Sequence, residues 1–229
     1  KRAMVRLSLE TVESAPQRLN PLGDRELVLR ALKIPSIENT GTFRDAYDCV
    51  DLSDNEIKRL GNFTRASRLS TLLLNNNKIS RIQASLGTEL PNLKILVLTG
   101  NAIESMSEVD NLKRCERLES LSLLDNPICQ SPHYRPYVIA QGPPSLKLLD
   151  FRKVKPIERV EAQKLFPQDG SSAVNLDKPP PPPPRRTNQL TDLQLEQIKA
   201  AVEAAKTAEE VDTIERQIRA GIIPKAPPK

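Results

Sequence analysis

His133 is the only histidine in this 229-residue chain, and it stands in Ser131-Pro132-His133-Tyr134-Arg135. A histidine can hold a metal or activate a nucleophile, but either task needs a cysteine or carboxylate at ligand or triad spacing. None stands beside it, so the expectation is a structural histidine in a capping region. Cys49, Cys115 and Cys129 are odd in number and widely spaced. That is a poor disulfide framework and fits a reducing compartment. The carboxylate pair Glu209-Glu210 falls on a solvated helix face. There is no phosphate loop, no metal motif and no nucleophile elbow. The expectation is a protein that is not an enzyme and carries no cofactor.

Four asparagines point to chemistry of another kind. Aligned on Asn55, Asn77, Asn101 and Asn126, the residues eight, five and three before each read Tyr47-Val50-Leu52, Leu69-Leu72-Leu74, Leu93-Leu96-Leu98 and Leu118-Leu121-Leu123. The residues two and five after read Ile57-Leu60, Ile79-Ile82, Ile103-Met106 and Ile128-Ser131, of which only Ser131 breaks the pattern. The spacings are 22, 24 and 25 residues, inside the range of leucine-rich repeats. Degenerate copies flank these. Leu27, Leu29, Ile34 and Ile37 fit with Leu32 in the asparagine slot, and Leu146, Leu149 and Phe151 fit with Val154 there. About six turns are expected, from residue 24 to 155. An asparagine amide offers two donors and one acceptor, enough to pair buried backbone groups where the chain leaves a strand. The four are therefore expected to form a structural ladder, not a ligand site.

The elements follow from the frame. An α/β solenoid is expected, with one short parallel strand per turn lining a concave sheet. Its ends need covering. Residues 7–13 read as a short amphipathic helix, and 156–166 as a capping helix with Ile157, Val160, Ala162, Leu165 and Phe166 toward the last turn. Residues 1–166 make the repeat domain. Residues 167–190, with six prolines from Pro179 to Pro184, read as a linker with a polyproline II segment, either a plain spacer or a ligand of SH3 or WW domains. Residues 191–229 read as a helical hairpin with capping boxes at Thr191 and Thr207.

Strand residues between the core positions face the concave side. They include Val28, Asp51, Leu73, Ile95, Val97, Leu124 and Leu148, along with Asp150 and Arg152. An apolar stripe rimmed by charge on such a face fits a partner protein, above all an amphipathic helix. The net charge is +5, a modest basic bias that favours a polyanion partner only slightly. No run of about 18 apolar residues spans a membrane. The start lacks a charged n-region with an apolar h-region, so secretion is not expected.

Several stretches carry a resemblance: Asp24-Arg25-Glu26-Leu27 with Lys33-Ile34-Pro35 and Ile37-Glu38-Asn39; Asp51-Leu52-Ser53-Asp54-Asn55-Glu56-Ile57; Thr71-Leu72-Leu73 with Asn75-Asn76-Asn77; and Leu90-Pro91. Others are His133-Tyr134-Arg135 with Tyr137-Val138-Ile139, Leu149-Asp150-Phe151 with Lys153-Val154-Lys155, and Glu158-Arg159. In these the chain resembles the A-prime family of the spliceosomal U2 small nuclear ribonucleoprotein, closely over residues 4–166 and more weakly over 191–223. The resemblance implies a nuclear, non-catalytic splicing subunit. Its concave face would hold a helix of the RNA-recognition-motif protein B-double-prime, and the pair would bind a stem-loop of U2 small nuclear RNA. It also implies phosphate contacts, for which Arg6, Arg30, Arg152, Lys153 and Lys155 are the candidates; such contacts orient RNA without reading its sequence. The tail would meet other spliceosome proteins. The alternative is a leucine-rich-repeat regulatory subunit of a protein phosphatase.

Overall fold

The computed structural model describes residues 5–167, apart from Arg44. The linker from residue 168, the proline run and the tail helices expected at 191–229 lie outside the described residues. In chain order the elements are α1 (Leu9–Ser14), β1 (Gln17–Leu19), β2 (Arg25–Val28), a 3-10 turn (Thr40–Phe43), β3 (Cys49–Asp51), β4 (Arg59–Leu60), β5 (Thr71–Leu73), β6 (Arg81–Ile82), α2 (Leu86–Glu89), β7 (Ile95–Val97), α3 (Ser107–Asp110), β8 (Ser120–Ser122), a 3-10 turn (Pro127–Gln130), α4 (Tyr134–Gln141), β9 (Leu148–Leu149), β10 (Arg152–Lys153) and α5 (Pro156–Leu165).

One strand per repeat is set by the two-residue alternation of apolar side chains. Leu27, Val50, Leu72, Leu96, Leu121 and Leu149 are register partners across parallel strands β2, β3, β5, β7, β8 and β9. Each is 1% exposed or less, so one leucine-rich column forms the spine of the core. The strands end where the ladder asparagines turn the chain away. Asn77 Nδ2 donates to Leu74 O at 3.1 Å in its own turn and to Leu52 O at 3.0 Å in the turn before. Asn101 and Asn126 repeat both bonds one turn further on each time. Their Oδ1 atoms accept from Ile57 N, Ile79 N and Ile103 N. Asn55 serves the first turn, whose slot holds Leu32: it accepts from Leu32 N and Ile34 N and donates to Leu29 O.

The residue before each ladder asparagine adopts a left-handed backbone: Asp54, Asn76, Gly100 and Asp125, with φ between 54° and 70°. These are the residue types that tolerate it. At Gly100 an added Cβ would also lie 2.6 Å from Asn76 Oδ1. A tighter approach occurs at Gly87 in α2. A Cβ there would stand 2.3 Å from Arg114 O, which is backbone and cannot swing aside. Gly87→Ala should therefore lower stability by about 1–3 kcal/mol through overpacking. Thermal unfolding of the variant reads this, and an unchanged Tm would show that the turns are not in such close contact.

Both ends of the sheet turn antiparallel. β1 pairs with β2, and β10 with β9. At the start, Ser8 caps α1 by accepting from Thr11 N, and Leu7 and Val12 bury against the first turn while Leu9 stays 41% exposed. At the far end three expectations are corrected. Phe151 does not enter the core: the chain reverses at Asp150 and Phe151, and the ring is 73% exposed. Arg152 consequently lies on the return strand opposite Leu149, not on the concave column. On α5, Ala162 and Phe166 are buried, but Ile157 and Val160 are 67% and 51% exposed. The helical period explains the last point, since Ala162 and Phe166 share a face from which Ile157 and Val160 are turned away. Phe166 packs edge-on to Tyr137 and to His133, which is 1% exposed. Among the described residues no helix is long and apolar enough to cross a membrane.

Candidate functional site

The open face of the sheet lies opposite the leucine column. Along the register, Glu26, Cys49, Thr71, Ile95, Ser120 and Leu148 form one row, and Val28, Asp51, Leu73, Val97 and Ser122 the next. Leu73, Ile95 and Val97 are thereby neighbours at the centre, each half-buried. Leu124 and Leu148 lie toward the C-terminal side and are 37% and 40% exposed. Asn75, just past Leu73, holds its Oδ1 buried with no hydrogen-bond partner.

The other side of this face is polar. Arg18 on β1 donates from Nε to Glu26 Oε2 at 2.8 Å, and this bond raises the guanidinium above its ordinary pKa. Nothing in the repeat frame pointed to Arg18, because β1 lies before the first turn and runs against it. Asp51 is on the open face, but the structure buries it and its Oδ1 accepts from Ser53 N at 2.9 Å. It offers a partner less than its position implies. Burial, with Glu26 and Asp51 adding to it, pushes the Cys49 thiol up to about 12; burial alone pushes Cys115 to about 12. Both stay protonated and unreactive at neutral pH. Among the described residues no group of histidine, cysteine and carboxylate side chains could hold a metal ion.

The five basic residues do not form one patch. Arg30 follows β2, while Arg152 and Lys153 make β10 and Lys155 leads into α5. Arg30 and Arg152 are six strand spacings apart, about 29 Å. Arg6 precedes α1 and Arg30 follows β2, at the opposite end of the chain's repeats from β10, and both are exposed. Arg30 is engaged: its Nε donates to Asp54 Oδ2, and Asn76 Nδ2 donates to Asp54 Oδ1 at 2.8 Å. Together, Asn76 first and then Arg30, they hold the Asp54 carboxyl below its usual range. Arg152, Lys153 and Lys155 are exposed and make no ion pair among the described residues.

The C-terminal hairpin that carries them is held by two side chains. Asp150 Oδ1 accepts from Leu123 N at 2.8 Å. In the earlier turns the matching N–H meets a backbone carbonyl of the next strand, as Leu98 N does with Ser122 O. Asp150 thus supplies from its side chain the acceptor that the turning backbone withdraws, and its Oδ2 accepts from Tyr134 OH at 2.7 Å. Its position on the concave column is therefore not available to a partner. Arg135 on α4 donates to Leu149 O at 3.1 Å and Lys153 O at 3.4 Å, and pairs with both oxygens of Glu158 on α5. Glu158 also accepts from Lys155 N, capping α5.

The Arg135 bonds, helped by Lys155 N–H, hold the Glu158 carboxyl below its ordinary value of 4.5. A depressed folded-state value means stability that is present above the ordinary carboxylate range and is lost as pH falls through the folded value. Arg135→Gln should lower Tm at neutral pH and flatten the loss on acidification. If both proteins lose Tm in parallel as the pH is taken from neutrality to well below the ordinary carboxylate range, this pair is not the linkage.

Comparison with known proteins fits this geometry. A family model described as leucine-rich repeat matches residues 4–177, so the chain is a leucine-rich-repeat protein. The U2 small nuclear ribonucleoprotein A′ of Homo sapiens is 40% identical, over 96% of this chain and 90% of the relative. That of Arabidopsis thaliana is 42% identical, over 96% and 93%. The solved Drosophila melanogaster SNF/U2A′ complex contains a chain 45% identical, with a TM-score of 0.69 over 73% of this chain and 96% of that one. The chain belongs to the U2 small nuclear ribonucleoprotein A′ family.

Proposed function

We propose that this protein is a non-catalytic subunit of the nuclear U2 small nuclear ribonucleoprotein, acting in pre-mRNA splicing. Its open face binds an RNA-recognition-motif protein of the B-double-prime kind, and the pair holds a U2 small nuclear RNA stem-loop. The observation that carries the pairing is the contiguous cluster of Leu73, Ile95 and Val97 on a sheet face that no element of the described chain covers. A helix laid there would bury apolar area at the centre and meet Glu26 and Arg18 at one end. The relative solved together with SNF supports this reading. Arg152, Lys153 and Lys155 supply the RNA contact, with Arg6 and Arg30 a separate group on the far side. The tail, residues 191–229, is assigned to other spliceosome proteins.

Recovery from nuclear extract of the tagged protein, expressed in cells with and without residues 168–229, tests the assignment. U2 small nuclear RNA and an RNA-recognition-motif protein should be retained by both forms. A phosphatase catalytic subunit in place of RNA would replace this reading with that of a phosphatase regulator.

A further inference from the structure

The chain has four phenylalanines. Phe43, Phe63 and Phe166 are 5% exposed or less, whereas Phe151 is 73% exposed. Its backbone is as unusual as its exposure. Leu149 pairs with Arg152 and Leu148 with Lys153, so the β9–β10 loop is the two residues Asp150 and Phe151, with φ of 52° and 61°. A two-residue turn with both φ values positive favours Asn-Gly or Asp-Gly. Aspartate stands first, as that preference asks. The second position holds the residue type for which a positive φ is an outlier rather than a variant.

The turn itself is imposed from outside. Asp150 is tied to Leu123 N and Tyr134, and Arg135 bonds the carbonyls of Leu149 and Lys153 on both arms of the hairpin. Glycine would satisfy every one of these bonds without strain. The ring is thus held in a disfavoured conformation and packs into no core. Such outliers, when the surroundings over-determine them, concentrate at functional positions.

The surroundings name the chemistry. Arg152 follows Phe151 directly, and Lys153 and Lys155 come just after, all exposed and without an ion pair among the described residues. The nearby carboxylates are occupied, Asp150 as described and Glu158 by Arg135. A flat exposed ring flanked by cations that make no ion pair among the described residues matches what binds single-stranded nucleic acid, in which bases stack on aromatic faces while cations track phosphates. A protein interface core is depleted of lysine, and burying these cations unpaired would be unfavourable.

We infer that Phe151 is a stacking platform for an unpaired nucleobase flanking the stem of the bound RNA, with Arg152, Lys153 and Lys155 on the adjacent phosphates. This rests on the proposed RNA-holding role and adds to it a base contact that phosphate binding alone does not require.

The test uses the full chain assembled with its RNA-recognition-motif partner and a U2 stem-loop RNA, with or without the unpaired nucleotides that flank the stem. Phe151→Gly should weaken binding of the flanked RNA roughly 5- to 100-fold while raising Tm, because glycine relieves the turn. Phe151→Trp should retain affinity, and RNA trimmed to the stem-loop should be indifferent to all these changes. A structural role for the ring predicts the opposite sign in Tm. If this chain adds RNA affinity to its partner but Phe151→Gly leaves that affinity intact, the inference alone is overturned. If Phe151→Gly weakens pairing with the protein partner in the absence of RNA, the ring belongs to a protein interface and the inference is again wrong. If the chain adds no affinity for RNA at all, the RNA-holding role fails along with it.

Discussion

Asn101→Ala should destabilise the protein by about 3 kcal/mol, read as a fall in Tm of roughly 6–12 °C for a domain of this size. The asparagine sits between two turns and serves both. It donates to Leu74 O and Leu98 O, each at 2.9 Å, and accepts from Ile79 N at 3.0 Å. The two carbonyls are shared with the neighbouring rungs, because Asn77 also donates to Leu74 O and Asn126 to Leu98 O. They would therefore keep one partner each. The Ile79 N–H would keep none, in a position where Ile79 is fully buried. An orphaned buried donor costs about 1–3 kcal/mol, and the two lost second bonds and the vacated volume add to it. Asn101→Asp should be no milder. It preserves the acceptor for Ile79 N but turns a carboxylate oxygen toward two carbonyls. Equilibrium denaturation decides the matter: a loss under about 0.5 kcal/mol for Asn101→Ala would mean that the rung is decorative.

The second large effect concerns binding. A Val97→Asp, Leu124→Asp double variant should weaken pairing with the RNA-recognition-motif partner by about 1,000-fold or more, since truncating or charging central contacts commonly costs 2 kcal/mol or more each. Leu73 looks the more obvious target. However, Leu73 lies between Asp51 and Val97 in the register, so aspartates at 73 and 97 would set three carboxylates side by side. Like charges directly opposite are themselves destabilising, which would blur a binding result. Val97 has Leu73 and Ser122 as its neighbours, and Leu124 is 37% exposed. The double variant should keep the Tm of the parent, and titration calorimetry with the partner should show no measurable binding. Retained affinity with an unchanged Tm would place the partner elsewhere on the molecule.

These two predictions draw on different layers of information. The asparagine ladder was readable because a repeat states its own geometry several times. Four asparagines in one frame, each preceded by apolar residues at fixed offsets, leave one arrangement in which the leucines stack. A further signal was present in the same alignment and lies unused in the frame: Asp54, Asn76, Gly100 and Asp125, one before each rung, are residues suited to a left-handed backbone. The open-face residues followed from alternation, so Leu73, Ile95 and Val97 were identifiable as neighbours on the same face of adjacent strands.

Outside the repeat the sequence was a weaker guide. Phe151 fits the core template by spacing and still points to solvent, because spacing presumes that the chain continues along the strand. Whether it continues depends on Arg135 and Asp150, which act from α4 and across the sheet. Ile157 and Val160 are apolar on a helix, yet only packing against α4 selects which face of α5 is covered, and it selects Ala162 and Phe166. Arg18 reached Glu26 through an antiparallel strand that no repeat unit encodes.

The sequence alone therefore determined the solenoid, its core column and its uncovered face, because each is periodic and local rules repeat until they are unambiguous. Only the tertiary structure decided how the solenoid ends and which cations are left unpaired there. An end is a single event, governed by contacts between residues distant in the chain, and periodicity carries no information about it.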